Sequence, residues 1–177
     1  MRLSDAVQKA LNENRKINID IGCGPKPVQG FFGIDMQEDL HPDIVCNLEK
    51  EKLPLPDNSV GAVYSCYFLE HINNVLDIMD EIWRVTVPGA LTIIIVPHWA
   101  WDGQHKDPTH KTTFSEDSYK YWDSRDVSVP HYGHVSKFDL VDLKFRFAPW
   151  ATDEHKATSK MYRNVIENMT FILRTVK

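Results

Sequence analysis

Cysteine is scarce in this chain. Its 177 residues include only Cys23, Cys46 and Cys66, with no CxxC pair, which excludes a disulfide-framed scaffold. Free thiols fit a reducing compartment, so a cytoplasmic location is expected. Positive charge is also in short supply. Lys and Arg number 20 against 25 Asp and Glu, and the net charge of −5 argues against bulk binding of nucleic acid. Long apolar runs are missing as well: Ala90 to Val96 is the longest, far too short to cross a bilayer. Met1 to Lys16 has no apolar centre of the secretory kind, so neither a leader nor a membrane partner is expected.

What remains is globular in character, with 42% hydrophobic and 25% charged residues. A chain of this length supports one domain that buries roughly 70% of its unfolded surface. The charge is uneven: residues 1–136 carry 12 basic and 20 acidic side chains, and residues 137–177 carry 8 and 5. A few solvated lysines on late strands account for this; a weak anion-facing patch is the other reading.

Leu3, Ala6, Val7, Ala10 and Leu11 recur at helical spacing behind Ser4 and Asp5, which mark a helix start. Ile17, Ile19 and Ile21 form a buried strand that stops at Gly22. Further short strands are expected at about 31–35, 43–46 and 60–65. Ile72, Val75, Leu76, Met79, Ile82 and Trp83 follow the i, i+3, i+4, i+7 pattern, and Pro88-Gly89 is expected to end that helix. Leu91 to Val96 predicts a strand buried on both faces. Strands alternating with helices predict a single-domain α/β fold built on a mostly parallel sheet. Residues 141–147 alternate in polarity and 169–176 are strand-like, so an antiparallel C-terminal strand is added. The expected organisation is an N-terminal helix (1–16), a first half ending at 97, a loop region (98–136) and C-terminal strands (137–177).

Ile19-Asp-Ile-Gly-Cys-Gly24 sets two glycines directly after a buried strand, where a tight turn lets a ligand approach the backbone. Asp35, at the end of the next strand, is placed to accept hydrogen bonds from ribose hydroxyls. A plain turn with a capping acid is the competing reading. Only residues 25–30 separate Gly24 from Phe31, too few for a crossover helix. Six residues reach about 20 Å when extended, and Pro25 and Pro27 favour extension. The first crossover helix is therefore expected to be shortened or missing, and one sheet face incompletely covered, for which a homodimer is one remedy.

Five ordered blocks carry a wider likeness: Asp20-Ile-Gly-Cys-Gly-Pro25, Gly33-Ile-Asp35, Leu53-Pro-Leu-Pro-Asp-Asn-Ser59, Tyr67-Phe-Leu-Glu-His-Ile72 and Arg84-Val-Thr-Val-Pro-Gly89. Over residues 17–97 the chain resembles class I S-adenosylmethionine-dependent methyltransferases, in particular an abbreviated type-11-like subgroup. The resemblance implies a Rossmann-like, seven-stranded sheet and S-adenosylmethionine as cofactor. It places Asp20, Gly22, Cys23 and Gly24 around the methionine part, and Asp35 with Met36 at the ribose. Asn47 and Leu48 fall at the adenine, where family members often use an acid, and Ser65, Cys66 and Tyr67 lie next to the sulfonium. An acidic N-terminal half suits this cationic cofactor better than a pyrophosphate. A dinucleotide site would want a third glycine where Pro25 and Lys26 stand.

The implied reaction is methyl transfer to a small or medium-sized acceptor; a binding protein of the same fold without turnover is the alternative. Candidates for chemistry cluster after the fifth strand, beyond the carboxyl ends of the sheet. His98, His105 and His110 are the candidate catalytic residues. Histidines at 98, 105, 110, 131 and 134 also raise a metal, with His105, Asp107 and His110 as donors, but the spacing fits no established zinc pattern and no metal is expected. His71 reads equally as a helix-start cap. Trp99, Trp101, Tyr119, Tyr121 and Trp122 form either an acceptor-facing wall or ordinary core and lid material. Ser115, Glu116 and Asp117 read as a helix start.

Overall fold

In the computed structural model the protein is described over residues 1–129 and 132–177; His131 lies outside the described residues. The chain order is β1 (Arg2–Leu3), α1 (Asp5–Asn12), β2 (Ile17–Ile21), β3 (Phe32–Asp35), β4 (Ile44–Val45), β5 (Val60–Cys66), α2 (Val75–Val85), β6 (Thr86–Pro97), α3 (Asp102–Lys106), β7 (Phe138–Phe147), α4 (Asp153–Ala157) and β8 (Ile166–Thr175). They form one sheet of eight strands in the order β1-β4-β3-β2-β5-β6-β8-β7. The central strands β4, β3, β2, β5 and β6 pair in parallel, and β8 runs antiparallel to both β6 and β7. The seven expected strands are thus joined by an eighth, the two-residue β1, which pairs antiparallel with β4 at the edge.

Both principal helices begin where their caps stand. Ser4 Oγ accepts the Val7 amide at 3.4 Å, and Asn74 Oδ1 accepts that of Asp77 at 3.4 Å. Because Asn74 is the cap of α2, Ile72 falls before the helix although it shares its periodicity. The helix also ends earlier than Pro88-Gly89 suggests. Thr86 already pairs with Val60, and the register then jumps so that Leu91 faces Ala62. Pro88 and Gly89 (φ +80°) sit inside this bulge, a strand irregularity that a proline and a left-handed glycine accommodate.

No helix separates β2 from β3. Residues 22–31 cross as a proline-bearing loop laid flat on the sheet, and Asp20 Oδ2 holds it down by accepting the Val28 amide at 2.9 Å. The contact is close: a Cβ on Gly33 would stand 2.7 Å from Cys23 Sγ and 2.8 Å from Pro27 Cγ. The loop covers only this part of its face. Val63, Ile94, Phe171 and Leu173, on the opposite face, join Ile78, Met79 and Ile82 of α2 in the core. Tyr64, Ile93, Ile95 and Ile172, on the loop's face, are only half-buried, and Leu91 is 40% exposed.

The link from β4 to β5 also lacks an α-helix, and Arg84 of α2 holds it instead. Its guanidinium donates to the carbonyls of Leu53 (3.0 Å) and Leu55 (2.9 Å), to Asp57 (2.6 Å) and to both oxygens of Glu81. Glu81 in turn accepts the Leu53 amide at 3.0 Å. Arg84→Gln removes a forked, largely buried set of bonds and strands Glu81, so a loss of about 2–3 kcal/mol in urea unfolding is expected. An unchanged midpoint would show that residues 53–57 hold without it.

The segment from His98 to Lys137 is pinned at several points. His98 bridges to Phe114 and Asp123 to Phe138. Asp80 of α2 accepts from His134 Nδ1 (2.9 Å) and from the amides of Val135 and Ser136. The helix start read at Ser115 is instead a 3-10 turn over Ser118–Tyr121 with no side-chain cap.

Candidate active site

The glycine turn sits at the carboxyl end of β2 with φ of +68° at Gly22 and +56° at Gly24, conformations that favour residues without a Cβ. Asp35, at the end of β3, ties the two strand ends together. Its Oδ2 accepts the Gly24 amide and its Oδ1 the Gln37 amide, each at 3.0 Å. Cys23 is pushed up to about 12 by burial and then by the charges of Asp35 and Asp20, so its thiol stays protonated at neutral pH. Met36 beside Asp35 is 61% exposed.

Asn47 caps a local turn, its Oδ1 accepting the Glu49 amide at 3.1 Å, and Leu48 borders a small recess of about 180 Å³ with Glu49, Ile72 and Asn73. Ser65 Oγ is buried at the end of β5 without a hydrogen-bond partner. Tyr67, just beyond, takes a left-handed φ of 54°, rare for a bulky residue, and Asn168 Nδ2 donates to its hydroxyl at 2.7 Å.

Tyr67 opens onto a cleft of about 420 Å³ beyond the ends of β5 and β6, lined also by Glu70, His71, Trp101, Asp107 and His110. Glu70 stands out there. It is 0% exposed, and neither carboxylate oxygen has a hydrogen-bond partner. Burial pushes its carboxyl up to about 7, its own amide pulling the other way and the Asp107 charge adding to the rise.

The three candidate catalytic histidines do not converge. His98 is buried, accepts the Ala100 amide on Nδ1 and turns Nε2 towards Glu116 at 3.5 Å. Burial holds its ring below the usual histidine range, with Glu116 opposing. His105 Nε2 bonds the Trp99 carbonyl at 3.0 Å and lines a separate hollow with Arg163. Only His110 lines the main cleft. The aromatic residues disperse too: Trp101 lines the cleft, Tyr119 and Trp122 pack on Phe171, and Trp99 is 46% exposed. His71 is no helix cap, since its Nδ1 bonds Thr109 Oγ1 at 3.0 Å. Glu70 was not singled out from sequence, where a lone acid in Leu-Glu-His gives no sign of complete burial.

Residues 19–94, from β2 into β6, match the family model of a methyltransferase domain. The match covers less than half of the 177 residues. No curated protein sequence matches the chain. Among solved structures, a SAM-dependent methyltransferase from Archaeoglobus fulgidus aligns at TM-score 0.62 and 15% identity over 96% of this chain and 91% of that one. One from Methanosarcina mazei aligns at 0.60 and 17%, covering 99% of both chains. A geranyl diphosphate C-methyltransferase from Streptomyces coelicolor, solved with Mg2+, geranyl diphosphate and S-adenosylhomocysteine, aligns at 0.61 and 12% over 97% and 77%. Identities this low establish a shared fold. The matched segment therefore contains the glycine turn, Asp35, Tyr67, Glu70 and His71, while Trp101, Asp107 and His110 come from the chain beyond it. Among the described residues no helix is long and apolar enough to cross a membrane.

Proposed function

We propose that the protein transfers the methyl group of S-adenosylmethionine to a small or medium-sized acceptor held in the cleft beside Tyr67. The observation that carries this reading is the coupling of the glycine turn to Asp35 at the carboxyl ends of β2 and β3, one strand away from the cleft at the end of β5. The residues present fit the cofactor. The front of Gly24 is open, a Cβ there meeting nothing within 4 Å, and each Asp35 oxygen keeps a lone pair beyond the amide it accepts. The bound cofactor would supply a methyl on a sulfonium for in-line displacement. The protein's part is to hold the acceptor in line and exclude water. Of the three candidate histidines, any acceptor-facing role falls to His110.

Asp20, also expected at the methionine part of the cofactor, has one carboxylate oxygen engaged with the Val28 amide. It fixes the loop that carries the turn, so Asp35→Ala is the better probe of cofactor contact. Calorimetric titration with S-adenosylmethionine and S-adenosylhomocysteine is expected to give micromolar binding, weakened at least about tenfold in Asp35→Ala. No binding by the intact protein overturns the reading. Binding without transfer to any acceptor in a broad screen favours the non-catalytic alternative.

A further inference from the structure

We infer that Glu70, His71 and His110 form a binding site for one divalent transition-metal ion of the zinc type, with an open coordination position facing the cleft. One donor atom of each residue lies within 4.8 Å of the other two. Tetrahedral bonds of about 2.1 Å set donor atoms about 3.4 Å apart, so binding would draw the three side chains inward.

Glu70 supplies the first reason. A fully buried carboxylate with both oxygens unpartnered is costly unless a cation answers it. The nearby protein cations are engaged elsewhere: Arg146 pairs with Glu167 at 2.9 Å and Lys111 with Glu49 at 3.0 Å.

The histidine tautomers supply the second reason. His110 Nδ1 lies 2.9 Å from the Gln104 carbonyl, which only accepts, so Nδ1 carries the proton and Nε2 a free lone pair. Thr109 donates its hydroxyl proton to Asp107 Oδ1 at 2.6 Å, so its oxygen accepts from His71 Nδ1. His71 Nε2 is then free as well. Each imidazole is thus oriented through its other nitrogen, one by a carbonyl and one by a threonine backed by a carboxylate, the outer-shell pattern of metal-binding histidines.

Rigidity is the third reason. The Glu70 carbonyl accepts the amides of Lys111 (2.7 Å) and Thr112 (3.0 Å), locking the strand of chain that carries His110 against the one that carries Glu70 and His71. Asp107, whose Oδ2 is 3.8 Å from His110 Nε2, adds negative charge at the rim. Two imidazoles and a carboxylate leave the fourth position to water or to an oxygen or nitrogen atom of a bound molecule.

The site shares the cleft of the proposed function, but its test reads the metal and not methyl transfer, so each can fail alone. The full-length protein, stripped with chelator and dialysed, is titrated with Co2+ while the visible d–d absorption is followed, and with Zn2+ by calorimetry. One equivalent of each is expected, together with a higher thermal midpoint in the presence of Zn2+. His71→Ala and His110→Ala should each abolish the cobalt spectrum, with His155→Ala as an unaffected control. Thr109 is exposed, and Thr109→Val should weaken the affinity about 10–100-fold, which keeps the test decisive should an alanine variant unfold. Absence of stoichiometric binding by the intact protein, or binding that survives in folded His71→Ala and His110→Ala, overturns the site.

Discussion

Gly22→Ala is expected to destabilise the fold by about 2–5 kcal/mol, the sum of a left-handed penalty of about 1–2 and a repacking cost of about 1–3. Gly22 holds φ of +68°, and a Cβ there would lie 2.4–2.6 Å from Cδ2, Cβ and Cγ of Phe68. The ring is attached just after β5 and cannot retreat freely. At about 2–4 °C per kcal/mol for a chain of this size, the melting midpoint should fall by roughly 4–20 °C. Phe68→Ala in the same chain relieves the clash but leaves the backbone strain. The double-mutant cycle should therefore show a favourable coupling of about 1–3 kcal/mol. Additive effects would mean that the ring and the turn are not in conflict. Because the Gly24 amide reaches Asp35 from this turn, the variant should also lose cofactor affinity beyond its loss of stability.

The second large effect is expected at Phe171, fully buried in β8. Its ring lies 6.3 Å from that of Tyr119 and 6.4 Å from that of Trp122, the latter edge-on at 89°. Phe171→Ala should cost about 3–5 kcal/mol through lost transfer energy and the cavity left behind. The damage should be directional. Trp122 is tied to β7 by the Phe138 amide at 2.8 Å, and Asp123 accepts the Arg125 amide and guanidinium. Hydrogen exchange should quicken at residues 114–123 before it does in β2 or β5. A stability loss under about 1 kcal/mol would mean that the neighbours collapse into the space.

Much of the scaffold was legible because short-range chemistry decides it. The run Ile17–Ile21 lies buried between parallel neighbours, and the period of 75–85 needs only one apolar face. The missing helix followed from arithmetic on residues 25–30. Other features had no local signal. Arg2 and Leu3 become a strand only because β4 offers an unpaired edge, and α3 and α4, of five residues each, are too short for periodicity to reveal. Pro88-Gly89 carries the chemistry of a helix end and of a strand bulge equally, and pairing with β5 decides between them. In the site, the glycine turn and Asp35 were visible from their strand context. The approach of Glu70 and His71 to His110 depends on backbone bonds between segments 40 residues apart, which no spacing rule encodes.

The flat proline link between β2 and β3 also bears on how the sheet assembles. Closing a loop over residues 22–31 costs little chain entropy, so β2 and β3 can meet early as near neighbours in sequence. β6 must instead wait for β8, with the whole of residues 98–165 between them, and pairing over such a distance is slow. The two halves of one hydrogen-bonded sheet are thereby set on different clocks. A nascent chain would present its glycine turn, formed and waiting, well before the strand that completes the cleft has arrived.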